Sequence, residues 1–321
     1  MNRDSKLNNL RTAIDSFKLI LSRCNICPRK CGINRTAGKL GYCRAPLNPV
    51  IYSYLSHHGE EPALSGRKGS GTIFFTHCNM KCVYCQNYIF SQLDKGEEVP
   101  VDRLASIMLD LQESGCHNIN LVSPTHFVPQ ILAALEIAVK NGLAIPIVYN
   151  TGGYDSLDTI KLLDGIVDIY LPDMRYSDTK NALAYSDAPD YVKVNRACIK
   201  EMHRQAGDLV TDDKGIAMRG IIIRLLVLPN DISGTAESLK FIKKDISADT
   251  YLSMMSQYYP TFKAGDFKEL SRGTTQKEYA NIVDEAHALG LNNGWIQDIP
   301  EGSDRKFLGT NIAPKSDKKA Q

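Results

Sequence analysis

The chain reads as an α/β protein built on a parallel sheet, and three observations predict this. From Thr72 onward, six short runs rich in Val, Ile, Leu and Tyr (72–75, 119–123, 145–150, 166–173, 220–228 and 250–258) alternate with segments of helical spacing. The runs are almost continuously apolar and separated by helices, which calls for a parallel sheet covered on its outer face. Finally, 321 residues with 43% hydrophobic side chains supply enough core for one α/β barrel or about two smaller domains. Taken alone, this pattern fits a closed or partial barrel and a doubly wound open sheet equally well.

The first element is an amphipathic helix. Leu7, Leu10, Ile14, Phe17 and Leu21 recur at helical spacing and form a stripe for packing on the sheet. The helix leads into Cys24, Cys27, Cys31 and Cys43, spaced C-x2-C-x3-C-x11-C, with Gly38 and Gly41 to make the turns. Four thiolates close a tetrahedral zinc site or hold an accessory iron–sulfur cluster. A segment with so few apolar residues gains its fold from such a metal, which makes the expected role structural.

The first barrel-type strand, Thr72 to Phe75, feeds Thr76-His77-Cys78-Asn79-Met80-Lys81-Cys82-Val83-Tyr84-Cys85-Gln86-Asn87. Here the spacing is C-x3-C-x2-C, which nine cysteines would produce by chance somewhere in this chain with a probability of roughly 0.01. Three thiolates are one short of a closed site, so an iron–sulfur cubane held by them leaves one iron open to a small molecule. A zinc reading needs a fourth ligand, and His77 is too close to Cys78 in the chain to complete a tetrahedron easily. Seven of the nine cysteines thus sit at ligand spacings and read as metal thiolates, not disulfides; Cys116 and Cys198 read as core thiols.

Cys78, Cys82 and Cys85, with Tyr84 before the last cysteine, resemble the signature of the radical S-adenosylmethionine (radical SAM) superfamily. His58-Gly59-Glu60-Glu61-Pro62 and Gly69 to Phe75 upstream, with Cys85-Gln86-Asn87 downstream, resemble the branch similar to pyruvate formate-lyase activating enzyme, which also carries the four earlier cysteines. The resemblance implies a partial (βα)6 barrel of the radical SAM type over residues 66–300, preceded by an N-terminal helix and four-cysteine metal-binding segment over 1–65. It implies a 4Fe-4S cluster on Cys78, Cys82 and Cys85, S-adenosyl-L-methionine chelated at the open iron, and a one-electron donor such as flavodoxin or ferredoxin. The implied activity is reductive cleavage to methionine and a 5'-deoxyadenosyl radical, which takes a hydrogen atom from a protein, peptide or small-molecule substrate, a glycyl radical enzyme among them.

In such a barrel, ligands gather at the C-terminal ends of the strands, which nominates residues by position. Tyr84 is the signature aromatic. Where activators of glycyl radical enzymes carry Gly-Gly-Glu, this chain has Ser123-Pro124-Thr125-His126-Phe127. Ser123 and Thr125 offer oxygens to the cofactor ammonium, with helix N-capping as the other reading of Thr125; His126 reads as a packed or solvated histidine. Asn150 opens a small-residue turn, Asn150-Thr151-Gly152-Gly153, that lets backbone approach a ligand. Asp173 could take a ribose hydroxyl or a cation, and Arg175 a carboxylate or Asp173 itself. Arg224 interrupts Ile221 to Leu228 and needs an anion: either a carboxylate of the cofactor or substrate, or Asp168 or Asp173. Gln257 closes the sixth run and is a pocket candidate; the neighbouring Tyr258 reads as core.

A net charge of +2 from 38 basic and 36 acidic residues gives no broad positive field for nucleic acid or membrane surfaces. The longest apolar run is too short to span a bilayer, and the start lacks a secretion signal, so a cytoplasmic protein is expected. The competing reading is a non-catalytic zinc-knuckle adaptor for nucleic acid, suggested by Arg23, Arg29, Lys30, Arg35, Lys39 and Arg44 around the four cysteines. It leaves Cys78, Cys82 and Cys85 unexplained. The polar residues 301–321 read as a disordered tail.

Overall fold

The computed structural model describes residues 2–17, 19–298 and the backbone of 309–311. The strands are β1 (Val50–His57), β2 (Ser70–Phe75), β3 (Glu97–Glu98), β4 (Ile119–Val122), β5 (Ile147–Thr151), β6 (Ile169–Pro172), β7 (Val210–Thr211), β8 (Ala217–Leu226), β9 (Tyr251–Met255), β10 (Gly294–Gln297) and β11 (Gly309–Asn311). The helices are α1 (Arg3–Phe17), α2 (Pro62–Ser65), α3 (Tyr88–Ser91), α4 (Val101–Glu113), α5 (Val128–Lys140), α6 (Leu157–Lys161), α7 (Thr179–Ser186), α8 (Tyr191–Ala206), α9 (Thr235–Asp245) and α10 (Gln276–Ala288).

One mixed sheet runs in the order β11-β10-β9-β8-β6-β5-β4-β2-β1-β3, with β7 paired to β8. From β2 to β10 every pairing on this path is parallel, while β1 and β11 add antiparallel strands at the two flanks. All six expected runs are strands of this sheet. Residues 294–297 are a seventh parallel strand that the sequence did not suggest, because Gly294-Trp295-Ile296-Gln297 is short and only half apolar. The expected tail also needs correcting, since 309–311 pair with β10; its other residues lie outside the described set. β1 hydrogen-bonds to β2, so residues 50–57 belong to the same sheet as the segments that follow.

Strand parity sorts the side chains into two cores. Tyr149, Tyr170, Ile221, Ile223, Leu225, Leu252 and Met254 face the helices in the main core. Val148, Ile169, Leu171 and Ile222 face the other way and pack on Ala63 and Leu64 of α2. Burial on both faces is why these strands read as unbroken apolar runs. α1 ends at Phe17, short of Leu21, and buries Leu7, Leu10, Ala13 and Phe17 against the main core near α5. Among the described residues, no helix is long and apolar enough to cross a membrane.

Candidate active site at the strand ends

β2 delivers the cysteine loop to the C-terminal rim of the parallel strands. His77 turns the chain with a φ of 67°, and its ring faces Asp94 at 2.9 Å, away from any shared ligand set with Cys78. Backbone bonds then clamp the loop: His77 N donates to Phe90 O, Lys81 N to Ser186 O, Val83 N to Tyr185 O, and Lys263 N to Val83 O. Met80, Tyr84, Tyr154, Tyr176, Tyr185, Tyr191 and Tyr258 form an apolar cluster with it, in which Cys82 is buried and Cys78, Val83 and Cys85 are half-buried. Burial, with Cys82 adjacent, pushes the Cys78 thiol up to about 12 and the Cys85 thiol up to about 11. Thiols so disposed stay protonated until a metal displaces the proton.

Beside Cys85, a cavity of about 130 Å³ is lined by Tyr84, Asp173, Arg175, Arg224, Met255 and Gln257, among others. These come from the ends of β6, β8 and β9 and from the cysteine loop. Parity puts Arg224 on the inner face of β8, and it donates from Nε to Asp173 Oδ1 and from Nη2 to Asn150 Oδ1, both at 2.7 Å. Its anion is therefore Asp173 and not Asp168, which pairs with Lys6 at 2.7 Å near the start of β6. Arg175 holds the other Asp173 oxygen, and its Nε has no partner.

Other candidates divide. Ser123 adopts a φ of 59° and donates its backbone N–H to Asn150 O, which seats it on the same rim as Asn150 and Arg224. Thr125 is not the helix cap: its hydroxyl donates to Asp155 at 2.6 Å, and α5 begins after Phe127 with no side-chain cap. His126 is buried, with Nε2 at 2.7 Å from Thr76 O. Gln257 closes the rim: its carbonyl accepts from Gln86 Nε2 at 3.0 Å, joining the loop after β2 to the end of β9.

Two carboxylates were missed as site residues. Glu60 lies 3.9 Å from Arg224, and Glu61 is buried with Oε2 lacking a partner; its acid is pushed up by burial, against the pull of Arg224. Both are brought up inside the sheet by the β1–α2 connection, where Pro62 starts α2. The signal was available in the adjacent acids of His58-Gly59-Glu60-Glu61-Pro62, which belong to the stretch that carries the family resemblance.

Cys24, Cys27, Cys31 and Cys43 line one enclosed pocket with Arg29, Lys30 and Arg35. Among the described residues, however, no set of three or more His, Cys, Asp or Glu side chains forms a ready cage for a metal ion, and all nine cysteines are free thiols. Of the six basic residues in this segment, Arg35 is buried and Arg29 half-buried, whereas Arg23, Lys30, Lys39 and Arg44 are exposed. Arg35 is 2% exposed and donates to His126 O, Arg29 binds Asn79 O and Asp187 O, and Arg44 pairs with Asp94.

Residues 72–175, which span the cysteine loop and the rim from β2 to Arg175, match the family model described as the radical SAM superfamily. The chain belongs to the radical SAM superfamily. Its similarity extends to two uncharacterized proteins of Methanocaldococcus jannaschii. One, MJ0674, is 30% identical over 297 residues, covering 89% of this chain and 81% of the relative. The other, MJ0808, is 22% identical over 301 residues, covering 87% and 81%. Among solved structures, methylornithine synthase (PylB) aligns with a TM-score of 0.45 and 14% identity over 66% of this chain and 59% of that one. The anSMEcpe structure with bound AdoMet aligns with a TM-score of 0.43 and 15% identity over 72% and 60%.

Radical SAM membership implies a 4Fe-4S cluster and S-adenosylmethionine. The residues present fit both groups in kind: three thiols, Cys82 buried and Cys78 and Cys85 half-buried, stand against an aromatic wall and suit iron, and guanidinium, carboxylate and amide groups ring the adjoining cavity.

Proposed function

We propose that this radical SAM enzyme is of the branch similar to pyruvate formate-lyase activating enzyme, and that it abstracts hydrogen from a protein, peptide or small-molecule substrate in the cytoplasm. The observation that carries the reading is the meeting of Cys78, Cys82 and Cys85 with Asp173, Arg175 and Arg224 on one rim. Bound together, the cluster and S-adenosylmethionine supply one-electron cleavage to methionine and a 5'-deoxyadenosyl radical, with the electron coming from a donor such as flavodoxin or ferredoxin.

The chain's own residues bind and orient. Cys78, Cys82 and Cys85 would hold three irons, Ser123 would offer an oxygen to the cofactor ammonium, and the small-residue turn opened by Asn150 would let backbone approach the ligand. Asp173, at the mouth of β6, would be the group to take a ribose hydroxyl or a cation. A guanidinium has five N–H donors, and Arg224 commits Nε and one Nη2 hydrogen to Asp173 and Asn150, which leaves donors for a carboxylate. With no carboxylate in Ser123-Pro124-Thr125, a glycyl radical enzyme is one substrate among several that fit.

We further propose that the sheet forms a partial barrel. Supporting this, α2 packs on the inner face of β5, β6 and β8, and Gln86 reaches Gln257 across the rim, while β3 and β11 remain unpaired with each other. Residues 1–65 then serve as an accessory segment whose four cysteines hold a structural metal, zinc or iron–sulfur.

The test is anaerobic reconstitution followed by reduction. Wild type should convert S-adenosylmethionine to methionine and 5'-deoxyadenosine, and Cys82→Ala should not. Cleavage by the variant at the wild-type rate, or none by a wild type carrying its cluster, would refute the assignment.

A further inference from the structure

Each thiol of the cysteine loop has a hydrogen-bond neighbour, and Cys78 also lies 4.0 Å from Asn79 Oδ1. Met80 N donates to Cys78 Sγ at 3.4 Å, Ser91 Oγ lies 3.2 Å from Cys85 Sγ, and Ser186 Oγ donates to Cys82 Sγ at 3.0 Å. The last of these has a history inside the protein. Tyr84 OH donates to Tyr176 OH at 2.7 Å, and Tyr176 OH lies 2.7 Å from Ser186 Oγ. Since Tyr84 donates into Tyr176 and Ser186 donates into Cys82, the Tyr176 proton must point at Ser186. Three hydroxyls then align head to tail from the cavity to one thiolate.

Nothing in this chain is left to solvent. Tyr84, Tyr176, Ser186 and Cys82 are 3%, 1%, 0% and 5% exposed. The last turn of α7 is pinned on both sides of Cys82, by Lys81 N to Ser186 O and Val83 N to Tyr185 O, each at 2.9 Å. These two bonds fix the backbone of Ser186 beside the cysteine loop. In so dry a setting, aligned donors polarise one another, and a hydrogen bond to an anionic sulfur is stronger than one to a neutral acceptor.

We infer that Tyr84, Tyr176 and Ser186 form a hydroxyl relay that raises the reduction potential of the cluster by drawing electron density from the Cys82 thiolate. The physical basis is general: the reduced cluster carries one more negative charge than the oxidised one, so a donor aimed at its sulfur favours the reduced state. None of the three residues is a ligand; they are positioning residues, and Tyr84 also lines the cavity beside Cys85, so a molecule bound there touches the first link of the relay.

This inference rests on Cys78, Cys82 and Cys85 holding the cluster, and its test separates the two ideas. The full chain is reconstituted anaerobically, and its cluster is titrated potentiometrically with EPR detection. At the wild-type midpoint, Ser186→Ala should lower the reduced-to-oxidised ratio about tenfold, which is 59 mV for one electron. Tyr176→Phe, which keeps the ring and removes the hydroxyl, should shift it in the same direction by about threefold. Tyr185→Phe, one residue from Ser186 but bonded to Glu269, should leave it unmoved. If Ser186→Ala fails to hold a cluster, Tyr176→Phe decides. Ratios within twofold of wild type in both variants, with the cluster intact, overturn the relay; a wild type without any cluster overturns the site on which it rests.

Discussion

Replacing Arg224 by methionine keeps the bulk of a long side chain and removes a charge whose surroundings are now specified. The guanidinium makes 2.7 Å bonds to Asp173 and Asn150 and stands 3.9 Å from Glu60, at 17% side-chain exposure. Breaking a buried pair by deleting one partner costs about 3–5 kcal/mol. Here Asp173 keeps Arg175, so its carboxylate is not abandoned, while Glu60 and Glu61 lose their cation. The expected cost is the low end, about 3 kcal/mol, or a fall of about 6 °C in melting temperature at roughly 2 °C per kcal/mol for a chain of this size. Asp173→Asn is more severe, because two guanidiniums then face one amide. Thermal and urea unfolding of wild type, both single variants and the double variant should give a coupling of about 2 kcal/mol between the two positions. In the same Arg224→Met protein, affinity for S-adenosylmethionine should drop by about tenfold, the scale of one charge-assisted contact. Additivity of the two substitutions within about 0.5 kcal/mol, with an unchanged melting temperature for Arg224→Met, would refute the ion-pair account.

Three further outcomes follow from the structure. A variant with Cys78, Cys82 and Cys85 all changed to serine should retain zinc or iron on Cys24, Cys27, Cys31 and Cys43; a folded protein with neither metal by elemental analysis rules out the second site. Gly153→Ala should destabilise by about 3 kcal/mol or more, since the residue has a φ of 76° and the added methyl would meet Asp173 O and Asn195 Nδ2 at 2.2 Å, a clash that urea unfolding would register. Burial lowers the His126 pKa to about 3 from 6.5, so protons favour the unfolded chain below pH 6.5 and stability falls with decreasing pH, by about 2 kcal/mol at pH 5. His126→Asn, which can still donate to Thr76 O, should flatten that part of the pH profile; an unchanged slope would contradict a neutral buried imidazole.

The elements legible in sequence are those whose chemistry fixes a spacing. The loop from Cys78 to Cys85 was readable because three ligands to one cluster must lie close in the chain, and the six apolar runs because a sheet buried on both faces demands them. The same double burial hid the partner of Arg224: where both faces of β8 are apolar, sequence gives no parity, and only the register Arg224 shares with Ser253 of β9 and the bridge to Asp173 places it inward. Thr125 misled because a threonine at a strand-to-helix junction reads as a cap or a ligand, whereas the buried Asp155 recruits its hydroxyl together with those of Tyr149 and Thr151. Ser186 carried no signal at all, since its partner Cys82 lies 104 positions away.

The segment after β6 links the cofactor side of the site to the cluster side. Within four residues it supplies Asp173 to Arg224, Arg175 to Asp173, and Tyr176 to the hydroxyl chain that ends on Cys82. Its backbone is held rigidly: Asp173 N donates to Thr151 O, Met174 N to Arg224 O, and the Asp173 carbonyl accepts from both Tyr191 and Asn195. A ligand carboxylate that draws Arg224 away from Asp173 therefore cannot be accommodated by backbone motion here, and the change must be taken up by side chains. The nearest one is Arg175, whose unpartnered Nε lies among Cys82, Tyr84 and Tyr191 and whose charge already favours thiolate at Cys78 and Cys85. Asp173 thus bridges two arginines, Arg224 in the cavity wall and Arg175, whose charge favours thiolate at Cys78 and Cys85.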